Sequence, residues 1–166
     1  MATGGGDVAH AAQAAADVVR WCREHLSPDD PELAQALVRQ AVAASASGEM
    51  AEFSGRVAYR FVSLFEEALA IQRTAFGPRS EVVAITLGLY ADCLRPSDPL
   101  AAIAPLQERL TVLWNLRRPL DADVGEAACI LAQVQAQAGM LLSKEAARQY
   151  QACVFVARRS PSLPAR

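Results

Sequence analysis

The chain has 166 residues, 52% of them hydrophobic and only 6% aromatic, with a formal net charge of −2, which is enough for a domain with a real core. That charge, with arginines scattered along the chain, argues against the basic face that general nucleic-acid binding needs. No apolar run approaches the ~20 residues of a membrane span. Roughly one residue in five is Ala, which favours many closely packed helices over a sheet.

Residues 1–6, with three consecutive glycines, are expected to be mobile. Asp7 can cap a first helix running to about Leu26. Its apolar stripe is Val8, Ala11, Ala15, Val18, Val19 and Cys22, with Trp21 as the large anchor. The breaker Ser27-Pro28-Asp29-Asp30-Pro31 places Asp30 as cap and Pro31 in the first turn of a second helix ending near Ser47. That helix repeats Leu33, Leu37, Ala41 and Ala44 at helical spacing, and Gly48 closes it.

A third helix is predicted from about Met50 to Ala75, on the stripe Phe53, Val57, Phe61, Leu64, Phe65, Ala68 and Ile71. Gly55 is its weak point, and Gly77-Pro78 stops it. The fourth spans about Arg79 to Leu94. After Arg95-Pro96-Ser97-Asp98-Pro99, a fifth runs from Pro99 to about Asn115, with Pro105 marking a kink or a late start. The turn Pro119-Leu120-Asp121 precedes a sixth helix, Ala122–Ala138, closed by Gly139. A seventh is expected over Ser143–Arg159, followed by a tail over residues 160–166. Short turns between seven helices imply antiparallel neighbours, in either a closed bundle or an open stack of hairpins.

Self-similarity favours the stack. A shift of 42 positions puts Val82 on Val124, Leu89 on Leu131, Gln107 on Gln149, Val112 on Val154 and Arg117 on Arg159. The entry turns LSPDDPELAQAL, FGPRSEVVAITL and PLDADVGEAACI match by type. A period of this size with two helices per unit marks a helical solenoid, in which each hairpin covers its neighbour's apolar face.

These residues carry a resemblance. ALAIQRTAFGPRSEVVA resembles the junction in tetratricopeptide repeats of the 42-residue, kinesin-light-chain type. SPDDPELAQAL resembles the start of such a repeat, and KEAARQYQACVFVAR its second helix. The resemblance covers about Trp21 to Arg159. It implies an all-α, right-handed helical-hairpin solenoid over residues 7–159: a helix 7–26, then hairpins 31–75, 79–116 and 122–159. The first helix is then the second half of a repeat whose first half is absent. The first hairpin has about eight extra residues after Gly48, expected to lengthen its second helix by roughly two turns.

The resemblance also points to a groove lined by the first helix of each hairpin, where the family often places adjacent Asn residues that grip a peptide backbone. The corresponding pairs here are Val38-Arg39, Gly88-Leu89 and Cys129-Ile130, none with Asn. The groove candidates are therefore Arg39, Leu89, Asp92, Ile130, Gln133 and Gln137. Leu89 and Ile130 suit an apolar partner helix, or else ordinary packing between helices.

Little supports catalysis. His10 and His25 share one helix with no ligand-spaced Cys or carboxylate, no Gly-rich loop follows a strand, and Glu66-Glu67 and Asp121/Asp123 read as a solvated face and a cap. No cofactor or metal is implied. The cysteines, Cys22, Cys93, Cys129 and Cys153, form no CxxC and are expected as buried thiols in a reducing, cytoplasmic setting. The expected role is a non-enzymatic module for protein or peptide binding and assembly, without nucleic-acid or membrane contacts. The alternatives are a self-associating subunit, such as a homodimer, or a detached helical accessory domain. The helical C-terminal region of SET-MYND methyltransferases has similar repeats, but no SET-like segment or zinc cysteines are present here.

Overall fold

The computed structural model describes residues 4–47, 50–53, 56–116, 122–139 and residue 151. The expected seventh helix apart from residue 151, the C-terminal tail, Gly48, Gly55, Cys153 and the Pro119–Asp121 turn lie outside the described residues. The described chain runs α1 (Gly4–His25), α2 (Pro31–Ser47), β1 (Met50–Phe53), β2 (Arg56–Tyr59), α3 (Arg60–Phe76), α4 (Glu81–Leu94), α5 (Ile103–Leu116) and α6 (Ala122–Gln137). It divides into two compact units, Met1–Pro78 and Arg79–Arg166.

In the first unit α2 packs against both α1 and α3. Asp30 caps α2 as expected: its Oδ1 accepts the Glu32 N–H at 2.8 Å, and Pro31 occupies the first helical position, where a missing N–H costs nothing. Where α2 meets α3, Leu33, Leu37, Ala41 and Ala44 of α2 and Phe61, Phe65, Ala68 and Leu69 of α3 are all buried. The Phe61 and Phe65 rings meet edge to face at 6.4 Å, and each buried ring contributes about 1.5–3 kcal/mol.

Two expectations fail here. Residues 50–59 do not extend α3. Residues 50–53 and 56–59 form two antiparallel strands, with Met50 opposite Tyr59 and Phe53 opposite Arg56. The extra residues of the first hairpin are therefore spent on this ribbon, and α3 starts at Arg60. Trp21 is not an anchor: it is 54% exposed, and Val18 is 50% exposed. The face of α1 that meets α2 instead carries Val19 and Cys22, both buried. Trp21 stacks on His25, with ring centroids 4.5 Å apart.

Gly77 ends α3 at φ 84° and ψ 154°, and its N–H reaches the Arg73 carbonyl at 3.1 Å. Only glycine adopts this backbone region without strain. In the second unit Ser80 caps α4, accepting the Val83 N–H at 3.4 Å. The α4–α5 turn is closed by Asp98, whose N–H binds the Leu94 carbonyl at 2.7 Å and whose Oδ1 accepts the Ala101 N–H at 3.0 Å. Of the two options at Pro105 the late start holds. α5 begins at Ile103, so Pro105 falls in the first turn, where proline is tolerated. Ala84, Val112, Leu113, Val124 and Ala127 form one core cluster joining α4, α5 and α6.

Burial gives the repeat register. On α2 the buried positions include Leu33, Ala34, Ala36, Leu37, Ala41 and Ala44; on α4 they include Val83, Ala84, Thr86, Leu87, Ala91 and Leu94. Each pair is 50 positions apart. From α4 to α6, Val83, Ala84, Thr86, Leu87, Ala91 and Leu94 correspond to Val124, Gly125, Ala127, Ala128, Ala132 and Gln135, all buried and 41 positions on. The shift of 42 is thus one residue long between these helices. It pairs buried Val124 with Val82, which is 38% exposed, and not with buried Val83.

Candidate partner-binding face

The same register aligns the outward positions of the three helices. On α2 they are Glu32, Gln35, Arg39 and Val42; on α4, Val82, Ile85, Leu89 and Asp92; on α6, Asp123, Glu126, Ile130, Gln133 and Gln137. All are exposed except Ile130, which is half-buried. In the second unit Leu89 and Asp92 of α4 and Ile130, Gln133 and Gln137 of α6 take these outward positions, and Arg39 takes the equivalent position of α2 in the first unit, since Arg39/Leu89 and Leu89/Ile130 are spaced by 50 and 41 positions.

On α4, Val82, Ile85 and Leu89 recur at spacings of three and four and are 38%, 57% and 38% exposed. They form one apolar strip along the helix. Asp92 continues it by one turn and is held by the Arg95 guanidinium at 2.9 Å. Leu89 is therefore not core packing: the core-facing leucines of α4 are Leu87 and Leu94. On α6 the equivalent strip starts acidic, with Asp123 and Glu126, and passes through Ile130 to the amides Gln133 and Gln137. α4 and α6 belong to one unit and share the Ala84–Val124–Ala127 core. Arg39 lies in the other unit.

Sequence reasoning missed Val82 and Ile85. They sit seven and four residues before Leu89, so helical spacing from Leu89 alone finds them.

Behind this face, α4 makes a close approach at Gly88. A Cβ placed there would come within 3.1 Å of the Arg109 guanidinium carbon on α5. The Arg109 Nε is buried without a hydrogen-bond partner.

Among the described residues no group of His, Cys, Asp and Glu could hold a metal ion, and no helix is long and apolar enough to cross a membrane. His10 is exposed, and the His25 Nδ1 lies 2.8 Å from the Trp21 carbonyl. The expectation of four thiols needs correction. Cys22 and Cys93 carry thiols, but Cys129 is disulfide-bonded. Disulfides follow Cα separation in the fold, which cysteine spacing in the sequence does not report.

No family model matches the sequence, and no curated protein matches it. Solved structures do. A kinesin light chain from Podosopora anserina with nearly identical TPR-like repeats superposes with a TM-score of 0.74 at 17% identity, covering 96% of this chain and 71% of that one. A single-substitution variant of that protein gives a TM-score of 0.74 and 17% identity over 94% of this chain and 69% of that one. Likeness of this extent at such low identity shows the fold: the chain has the all-helical hairpin architecture of tetratricopeptide-like repeats, with a two-stranded ribbon inserted between α2 and α3.

Proposed function

We propose that the protein is a non-enzymatic interaction module that binds a partner polypeptide against the outward face of α4. The observation that carries this reading is the strip Val82, Ile85 and Leu89, left exposed at helical spacing in a helix whose opposite face is fully buried. Large apolar side chains aligned in this way mark an interaction surface more often than scattered single ones do. A partner helix with an apolar stripe would cover the strip. Asp92, Gln133 and Gln137 are the polar groups of the same unit that would orient it, and Ile130 would extend the apolar contact. The tetratricopeptide-like fold supports the same reading, because stacked hairpins present such faces for binding.

Quantitative capture from the native source tests this, comparing the wild type with Ile85→Glu and Leu89→Glu. A specific partner lost in both variants, with helicity kept, supports the reading. Loss of folding would assign the two side chains to packing instead.

A second reading has its own observation. Val18 and Trp21 lie three apart on α1 and are 50% and 54% exposed, which suits a self-associating surface. Light scattering decides it: a dimer that dissociates on Trp21→Glu favours a structural subunit. The disulfide at Cys129 disfavours the reducing, cytoplasmic setting expected from the sequence.

A further inference from the structure

We propose a second binding site, independent of the α4 face: a cleft in the first unit that takes an extended acidic peptide segment. α1 forms one wall, α2 the floor, and Arg60 of α3 the far rim, around a cavity of about 730 Å³. That size is in the range of ligand-binding clefts. The α1 wall presents Ala9, Ala12 and Ala16 at spacings of three and four, a smooth surface that lets a backbone come close.

The floor carries the second, independent observation. Gln40 lines the cavity, is only 7% exposed, and its Oε1 has no hydrogen-bond partner. An acceptor buried without a donor is destabilising. The terminal amide torsion is soft, so Gln40 can turn its oxygen or its NH₂ toward an occupant. An extended main chain offers the matching N–H and C=O. A helix does not, because its interior groups are already paired.

The charge of the lining selects the side chains. Arg20, Arg23 and Arg60 line the cavity against one carboxylate, Glu24. Arg20 and Arg23 are held by Asp17 at 2.7 Å and Glu67 at 2.6 Å, and neither of those acids lines the cavity. A guanidinium has five N–H donors, so a ligand carboxylate can be added without breaking either pair. The chain's own residues 140–166 are poor candidates, with Glu145 against Lys144, Arg148, Arg158, Arg159 and Arg166.

The test is fluorescence anisotropy with a fluorescein-labelled alternating Ala–Glu hexapeptide, and an Ala–Lys hexapeptide as the opposite-charge probe. The full chain should bind the acidic peptide saturably and ignore the basic one. Gln40→Leu should keep or raise the thermal midpoint while weakening binding roughly fivefold or more, as loss of one buried hydrogen bond requires. Ala12→Phe, which fills the cleft from its exposed wall, should abolish binding. The proposal is overturned if no saturable binding is seen, or if Gln40→Leu binds as the wild type does. It is equally overturned if Ile85→Glu removes binding while Gln40→Leu does not, which would put the peptide on α4. Displacement of the peptide by equimolar inorganic phosphate would assign a small-anion site in its place.

Discussion

Leu87→Ala and Leu89→Ala remove the same atoms two residues apart on α4, yet the burial register predicts opposite outcomes. Leu87 is 1% exposed and points into the second unit's core. Truncating it loses the transfer free energy of the removed carbons and leaves a cavity, a cost of about 2–5 kcal/mol. Leu89 is 38% exposed, so its outer carbons already meet water and no closed cavity forms. Full burial of a leucine contributes about 1.5–3 kcal/mol, and partial exposure brings the expected loss to about 1 kcal/mol or less. Urea unfolding followed by far-UV circular dichroism measures both. With a slope of about 1–3 kcal/mol/M, Leu87→Ala moves the midpoint down by about 1 M or more, and Leu89→Ala by a fraction of that. Equal shifts, or a larger one for Leu89→Ala, would refute the register and with it the assignment of Leu89 to a binding surface.

Gly77→Ala tests the α3–α4 junction. No atom lies within 4 Å of the new Cβ, so the cost is backbone strain alone, about 1–3 kcal/mol, read as a lower thermal midpoint with unchanged helix content. Gln72→Leu should behave in the opposite way. The side chain is buried and its Oε1 lacks a partner, so an apolar replacement of similar size raises stability by about 1 kcal/mol; a clear loss in the same melt would mean that an unseen partner satisfies the amide. Cys129 should resist alkylation in the unfolded, unreduced protein and react after reduction, whereas Cys22 reacts without reductant once unfolded; peptide mass spectrometry separates the two.

Helical periodicity and the proline and glycine breakers located most of the architecture. Asp30-Pro31 and Ser80 act as helix starts and Gly77 as a stop, because capping and backbone freedom are local chemistry. The inserted ribbon was hidden because Phe53, Val57 and Phe61 are spaced by four, which fits a helix stripe as well as two short strands, and four-residue strands alternate too briefly to outweigh it. Trp21 is exposed despite its size because α1 sinks only its Val19–Cys22 face against α2. The groove candidates occupy equivalent outward positions of their helices because position in the repeat is periodic in the sequence. Spacing from Leu89 reaches Ile85, but that Ile85 is the most exposed member of the strip depends on the neighbouring helices. The cleft over Gln40 depends on three helices meeting and leaves no signature in any one of them.

The most direct measurement replaces Ile85 with a photo-crosslinking phenylalanine analogue in the native source, with the same substitution at Ser97, in the α4–α5 turn, as the comparison. A discrete heterologous adduct from position 85 and none from position 97 is the predicted result. No adduct at position 85, or the same adduct at both positions, would contradict the assignment of the α4 face. An adduct of twice the chain's mass from position 85 would make that face a self-association surface.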